Sequence, residues 1–173
     1  MPTWSGTRKK LETDYLCPAL RGRVRYFATT YRESHDQGMA RAAILVDGTE
    51  VLKGDCVTYF RVLGERAREL DEQGLSWREV SLQAKRSVLK DGLFDPWSFY
   101  VAFQIFDNQS IETSLADEHP IVRIFALLDR RLGKRRLAAL EETMEQELDW
   151  VRPFYLLRME AEGLKLQKEK EVC

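Results

Sequence analysis

Five cations fall within seven residues, Arg130, Arg131, Lys134, Arg135 and Arg136, in the tract DRRLGKRRL. Arginine forks match carboxylate and phosphate oxygens, and lysine adds a compact charge on a flexible stem. Arg130 and Arg131 are expected to end a helix, where cations suit the negative end of the macrodipole. If Gly133 breaks that helix, Lys134, Arg135 and Arg136 open the next one at its positive end. The residues three and four further on are Leu137, Ala138, Ala139 and Leu140, so no carboxylate on the same helix face answers these three. Free helix N–H groups beside such cations would suit a phosphate, a carboxylate or another acidic surface. The competing reading is structural. The helix runs straight through Gly133, or acids from elsewhere, such as Asp117, Glu118 or Asp129, pair with the cluster.

A second set of reactive types lies between residues 31 and 36. Tyr31, Arg32, Ser34, His35 and Asp36 bring an imidazole, a carboxylate, a hydroxyl and a guanidinium together. His35 and Asp36 are the candidates for acid–base chemistry, and Arg32 for gripping an anion. The same residues are also ordinary turn formers between two strands. The chain has two histidines, His35 and His119, with Asp36, Asp117 and Glu118 nearby. A metal site would need the 31–36 loop to meet the helix start at 119 in space, and nothing in the sequence requires that. No metal and no cofactor is expected. There is no GxxxxGK[ST] loop and no GxGxxG turn for a nucleotide. Residues 119–148 could form a helix-turn-helix with Gly133 in the turn. The second helix carries little of the Asn, Gln and Ser surface that reads bases, so nucleic acid is the less favoured partner.

These groups must be positioned by the elements around them. Trp4 to Cys17 reads as an amphipathic helix ended by Pro18. Arg23–Arg32 is rich in aromatic and β-branched residues and reads as a strand. Arg41–Val46 alternates as a second strand, Asp47-Gly48 signals a two-residue hairpin, and Thr49–Leu52 returns. Residues 23–52 therefore predict a three-stranded antiparallel meander. After Gly54 the pattern turns helical. Cys56, Phe60, Leu63, Ala67 and Leu70 share one face up to Gly74. Ser76 and Glu79 form a capping box for a helix over 76–90, with Trp77, Val80, Ala84 and Val88 inward. Asp95-Pro96 opens a helix over 96–106 that is apolar nearly all round, which predicts a buried central helix. A short turn spans 110–115, and Pro120 opens a second core helix. Leu137, Leu140, Met144 and Leu148 make the stripe of the next helix, and Asp149 caps a last one to about Ala161.

The fold class that follows is α+β: an N-terminal helix, the small meander, then five to six helices packed as one domain over residues 1–163. The tract 164–173 has little to bury and is expected to fray. With 173 residues the chain can enclose a sizeable core. Its 27 Lys and Arg against 28 Asp and Glu leave a net charge of −1, which excludes a dedicated polyanion binder and confines any anion site to a local patch. No signal peptide is visible, and no apolar run is long enough to span a bilayer. Three cysteines without a CxxC pair favour reduced thiols and a cytoplasmic setting.

Five blocks of this sequence, WSGTRKKLE, LRGRVRYFATTYRESHDQG, VDG, HPIVRIFALLDRRLGKRRL and FYLLRMEAEGL, resemble a family of uncharacterised bacterial proteins. The resemblance covers most of the chain. It implies a small cytoplasmic bacterial protein and carries no activity, so no functional residue transfers from it.

Two functional readings follow. The first is a binding or interaction protein that meets an anionic ligand or acidic partner through Arg130, Arg131, Lys134, Arg135 and Arg136. The second is a small enzyme acting on a phosphate- or carboxylate-bearing substrate, with His35 as the acid–base group and Arg32 holding the anion. The sequence assigns no function; of the two readings binding ranks above catalysis, and the His35 spacing matches no catalytic signature.

Overall fold

A computed structural model describes residues 3–29 and 40–166. Helix α1, Trp4–Lys9, is capped by the Thr3 side chain and continues through a π-helical turn, Lys10–Tyr15. The chain then extends at Leu16, and Pro18 opens a short 3-10 turn instead of simply stopping the helix.

Three strands follow, β1 Val24–Ala28, β2 Arg41–Val46 and β3 Thr49–Asp55, in the order β1-β2-β3 and antiparallel throughout. The predicted meander is present. Asp47 and Gly48 both take positive φ, 50° and 84°, as a two-residue hairpin turn requires. A register irregularity sits between Ile44 and Leu45. Val24, Tyr26, Ala42, Ile44 and Leu52 form the buried face of the sheet. Glu12 accepts the backbone N–H of Tyr26 at 2.8 Å and so covers part of the β1 edge. Gly54 has no room for a side chain, because a Cβ there would meet the Phe94 carbonyl and ring.

The helices are α2 Cys56–Asp71, α3 Trp77–Lys90, α4 Pro96–Asp107, α5 Ile111–Leu115, α6 Pro120–Leu128, α7 Lys134–Ala139, α8 Glu141–Glu145 and α9 Arg152–Ala161. α4 and α6 pack together against the sheet, with α5 and α9 beside α6 and the α2–α3 pair to one side. Phe99 on α4 meets Tyr26, Phe94 and Phe125 within 6.4 Å, which joins the sheet to both core helices. α6 is the most enclosed element: eight of its nine residues are buried, Arg123 being the exception.

Four local expectations differ from the structure; Trp77, placed on the inward face of α3 with Val80, Ala84 and Val88, is 79% exposed, and three others follow. The stripe through Leu137, Leu140, Met144 and Leu148 divides at Leu140 into two short helices, α7 and α8, and Leu148 lies beyond both. Asp149 does not cap α9; Val151 stands at that position. The third is α4. Phe99, Ala102, Phe103 and Phe106 are buried as predicted, but Trp97 is 54% exposed. Apolarity all round this helix does not mean enclosure all round it. Leu164 and Leu166 pack against the core, so the chain keeps contact with it past α9. Among the described residues no helix is long and apolar enough to cross a membrane.

Candidate functional site

The cation cluster lies on a junction built by interruption of a helix. α6 stops at Leu128, two residues before Arg130, so Arg130 and Arg131 do not end the helix as the sequence suggests. Asp129 leaves helical geometry and is fully buried. Its carboxylate accepts the backbone N–H of Arg131 at 2.6 Å and the Arg131 guanidinium at 2.9 and 2.7 Å. That guanidinium also lies over the Tyr15 and Phe106 rings, 4.9 and 5.2 Å from their centres. Gly133 then breaks the chain as expected, and α7 begins at Lys134.

The structure separates the five cations. Arg131 belongs to Asp129. Lys134 reaches the Glu162 carboxylate at 3.1 Å and its carbonyl at 3.0 Å. Arg136 pairs with Glu112 and donates to the Arg131 carbonyl at 2.8 Å. Arg130 and Arg135 are exposed and have no ion pair among the described residues. Three of the five cations are thus met by carboxylates distant in sequence or in the adjoining loop. Of the acids the sequence offers as partners, Asp129 takes that role. Glu118 pairs with Arg86 at 2.7 Å instead, and Asp117 accepts from Gln109 and from the His119 backbone.

The residue that organises this junction is Arg158 on α9, which sequence reasoning missed. Its guanidinium is buried and donates to the carbonyls of Leu127, Asp129 and Leu132 at 3.2, 2.8 and 2.9 Å. It also meets Glu162, one turn along α9, at 3.1 and 3.0 Å. Cys17 donates its thiol to the same Glu162 at 2.9 Å, while its backbone N–H takes the Leu128 carbonyl. The carbonyls that α6 must leave open at its end are therefore filled by Cys17 and Arg158. The Cys17 thiol hydrogen bond, with Lys134 and Arg158, holds the Glu162 carboxyl below its usual value. Burial pushes the Cys17 thiol up, and Glu162 adds to that. A raised thiol pKa makes Cys17 a structural donor rather than a nucleophile. The signal available in sequence was the four-residue spacing of Arg158 and Glu162 in LLRMEAEG, an Arg–Glu pair within an apolar tract.

A different concavity opens between α2, α3 and α4, with a volume of about 700 Å³. Asp55 caps α2 and Asp95 caps α4, each accepting a backbone N–H at 2.8 Å, which sets the two helices on either side of it. The Ser76 and Glu79 capping box opens α3 as predicted. Phe60, Leu82 and Trp97 line this groove and are 57%, 51% and 54% exposed. Leu63, Leu89 and Val101 continue the apolar wall, and Lys85 and Arg86 add cations. The one carboxylate in the lining, Asp95, accepts from the Ser98 hydroxyl and backbone. Burial, then Asp95, pushes the Tyr59 phenol up, so it stays protonated.

His119 also lines the groove. Its Nδ1 is buried and has no hydrogen-bond partner among the described residues. Burial lowers its pKa from 6.5 to about 4; Asp117 opposes that shift and Arg123 adds to it. The imidazole is neutral at pH 7. The other histidine, His35, lies outside the described residues, as do Tyr31, Arg32, Ser34 and Asp36. Among the described residues no group of three or more His, Cys, Asp or Glu could hold a metal ion.

Fold and sites together define a small α+β protein, mostly helical, with a rigid charged junction on one part and an apolar groove on another. The chain belongs to the SF0329 protein family, whose model matches residues 3–159. No curated protein and no solved structure matches it.

Two outcomes follow from this geometry. Arg158→Met leaves three carbonyls without this donor and takes one cation from Glu162, which keeps Cys17 and Lys134, and loss of one partner of a buried charged network costs roughly 3–5 kcal/mol. Urea unfolding should show a correspondingly lower midpoint, and an unchanged midpoint would mean the network is not structural. His119 acts in the opposite direction to a salt-bridged histidine. Its folded-state pKa is lowered, so its contribution is complete above pH 6.5 and is lost as pH falls toward 4. The melting temperature of the wild type should fall relative to His119→Phe across that window, and a constant difference would contradict the assignment.

Proposed function

We propose that this chain is a binding protein whose ligand places an apolar body in the α2–α3–α4 groove. The observation that carries the reading is the exposure of Phe60, Leu82 and Trp97 around one concavity. Single exposed apolar side chains are normal on a protein surface, but several large ones converging on one hollow mark a binding site. The volume of about 700 Å³ falls in the range of small-molecule pockets. Catalysis has less support. The groove's one histidine is neutral with a depressed pKa, and its one carboxylate is held by Ser98.

The cation junction supports a second reading of the same class. Arg130, on the loop that Arg158 braces from within, and Arg135, in the first turn of α7, are exposed and without an ion pair among the described residues. An anionic ligand or acidic partner meeting that face would rely on these two, since Arg131, Lys134 and Arg136 already have carboxylates. The free thiols of Cys17 and Cys56 fit a reducing, cytoplasmic setting.

The test is binding of a neutral amphiphile, lauryl alcohol, to wild type and to a Leu82→Ser/Trp97→Ser variant. Both side chains are more than half exposed, so the double change should leave stability within about 1 kcal/mol. Affinity should fall by at least about tenfold through lost apolar contact. Equal affinity in the two proteins would remove the groove as the site.

A further inference from the structure

The groove is not uniformly apolar: Lys85, Arg86 and His119 line it beside its apolar side chains. Arg86 on α3 reaches Glu118 at 2.7 Å, which brings that turn of α3 beside the residue preceding His119. Lys85 is adjacent and has no ion pair among the described residues. The two cations and His119, whose Nδ1 has no partner among the described residues, line the same concavity. Phe60, Leu63, Leu82, Trp97 and Val101 supply the apolar wall of the same concavity. Asp95, the one acid in the lining, is engaged by Ser98. A cationic ammonium end group on a ligand has no free carboxylate there, whereas an anionic end group meets Lys85 and Arg86.

We propose that the groove takes a single-chain aliphatic carboxylate, its chain along Phe60, Leu82 and Trp97 and its carboxylate on Lys85 and Arg86 beside His119. This rests on the groove being the ligand site. In the structure Glu118 occupies the place of that carboxylate on Arg86. Its side chain is 83% exposed, and so open an ion pair is worth little. An incoming carboxylate displaces Glu118 from Arg86 and gains Lys85, which Glu118 does not use. Glu118 is then an internal competitor for the ligand's head group, and its removal should strengthen binding. A structural role for Glu118 predicts no such gain.

The experiment is titration calorimetry of the full chain with laurate below its micelle concentration, with lauryl alcohol and laurylamine alongside. Laurate should bind about tenfold tighter than the alcohol, the gain expected for a hydrogen-bonded charged head group. Laurylamine should bind more weakly than either. Lys85→Glu/Arg86→Glu should abolish the preference of laurate over the alcohol, and melting curves check that the variant is folded. Glu118→Gln should raise laurate affinity severalfold and leave the alcohol unaffected. Equal binding of laurate and alcohol overturns the carboxylate assignment and leaves the apolar groove standing. Absence of binding by all three removes the groove reading, and this inference with it. Binding to phosphatidylglycerol vesicles without binding to free laurate assigns the face to a lipid surface and also overturns the proposal.

Discussion

The guanidinium of Arg158 lies in the interior because the end of α6 offers it carbonyls that no helix can satisfy. A helix leaves its last carbonyls open, and here they are enclosed by α9 and by the segment after α1. Enclosed carbonyls without donors would cost more than the helix could return. Arg158 supplies donors to Leu127, Asp129 and Leu132, and Cys17 supplies one to Leu128. Glu162 then balances the buried charge and ties in Cys17 and Lys134. One side chain thus joins the N-terminal segment, the end of α6, the junction loop and α9. Removing it would release the whole corner of the molecule rather than a single contact.

That network also shows where three of the tract's five cations find carboxylates. Arg131 sits between Asp129 and two aromatic rings, so its charge is spent on fixing the loop. Lys134 and Arg136 find Glu162 and Glu112, neither of which is near them in sequence. The groove has the opposite character. Phe60, Leu82 and Trp97 are more than half exposed, and Lys85 has no ion pair among the described residues. Unspent chemistry is concentrated there.

The features legible in the sequence were the local ones. Asp47-Gly48, the Ser76 and Glu79 box and Asp95-Pro96 each act within four residues, and each marks the turn or helix start it predicts. The break at Gly133 was legible for the same reason. The burial of Arg158 was not, because it depends on carbonyls 26 to 31 residues away. The groove was illegible for a subtler reason. Periodicity records which residues are apolar, not what covers them, and Phe60 and Trp97 have the same pattern as core residues. The pairing of Arg86 with Glu118 spans 32 residues and leaves no local trace. His35, Asp36 and Arg32 lie outside the described residues, and their sequence reading stands as it was.

The central claim is that the ligand-binding surface is the α2–α3–α4 groove rather than the 130–136 junction. Amide hydrogen exchange of the full chain with and without laurate tests it most directly, because it locates protection without assuming a site. The account predicts slowed exchange in α2, in the second half of α3 and in the first turns of α4, with residues 130–136 unchanged. Protection confined to residues 130–136, or none anywhere, would contradict it.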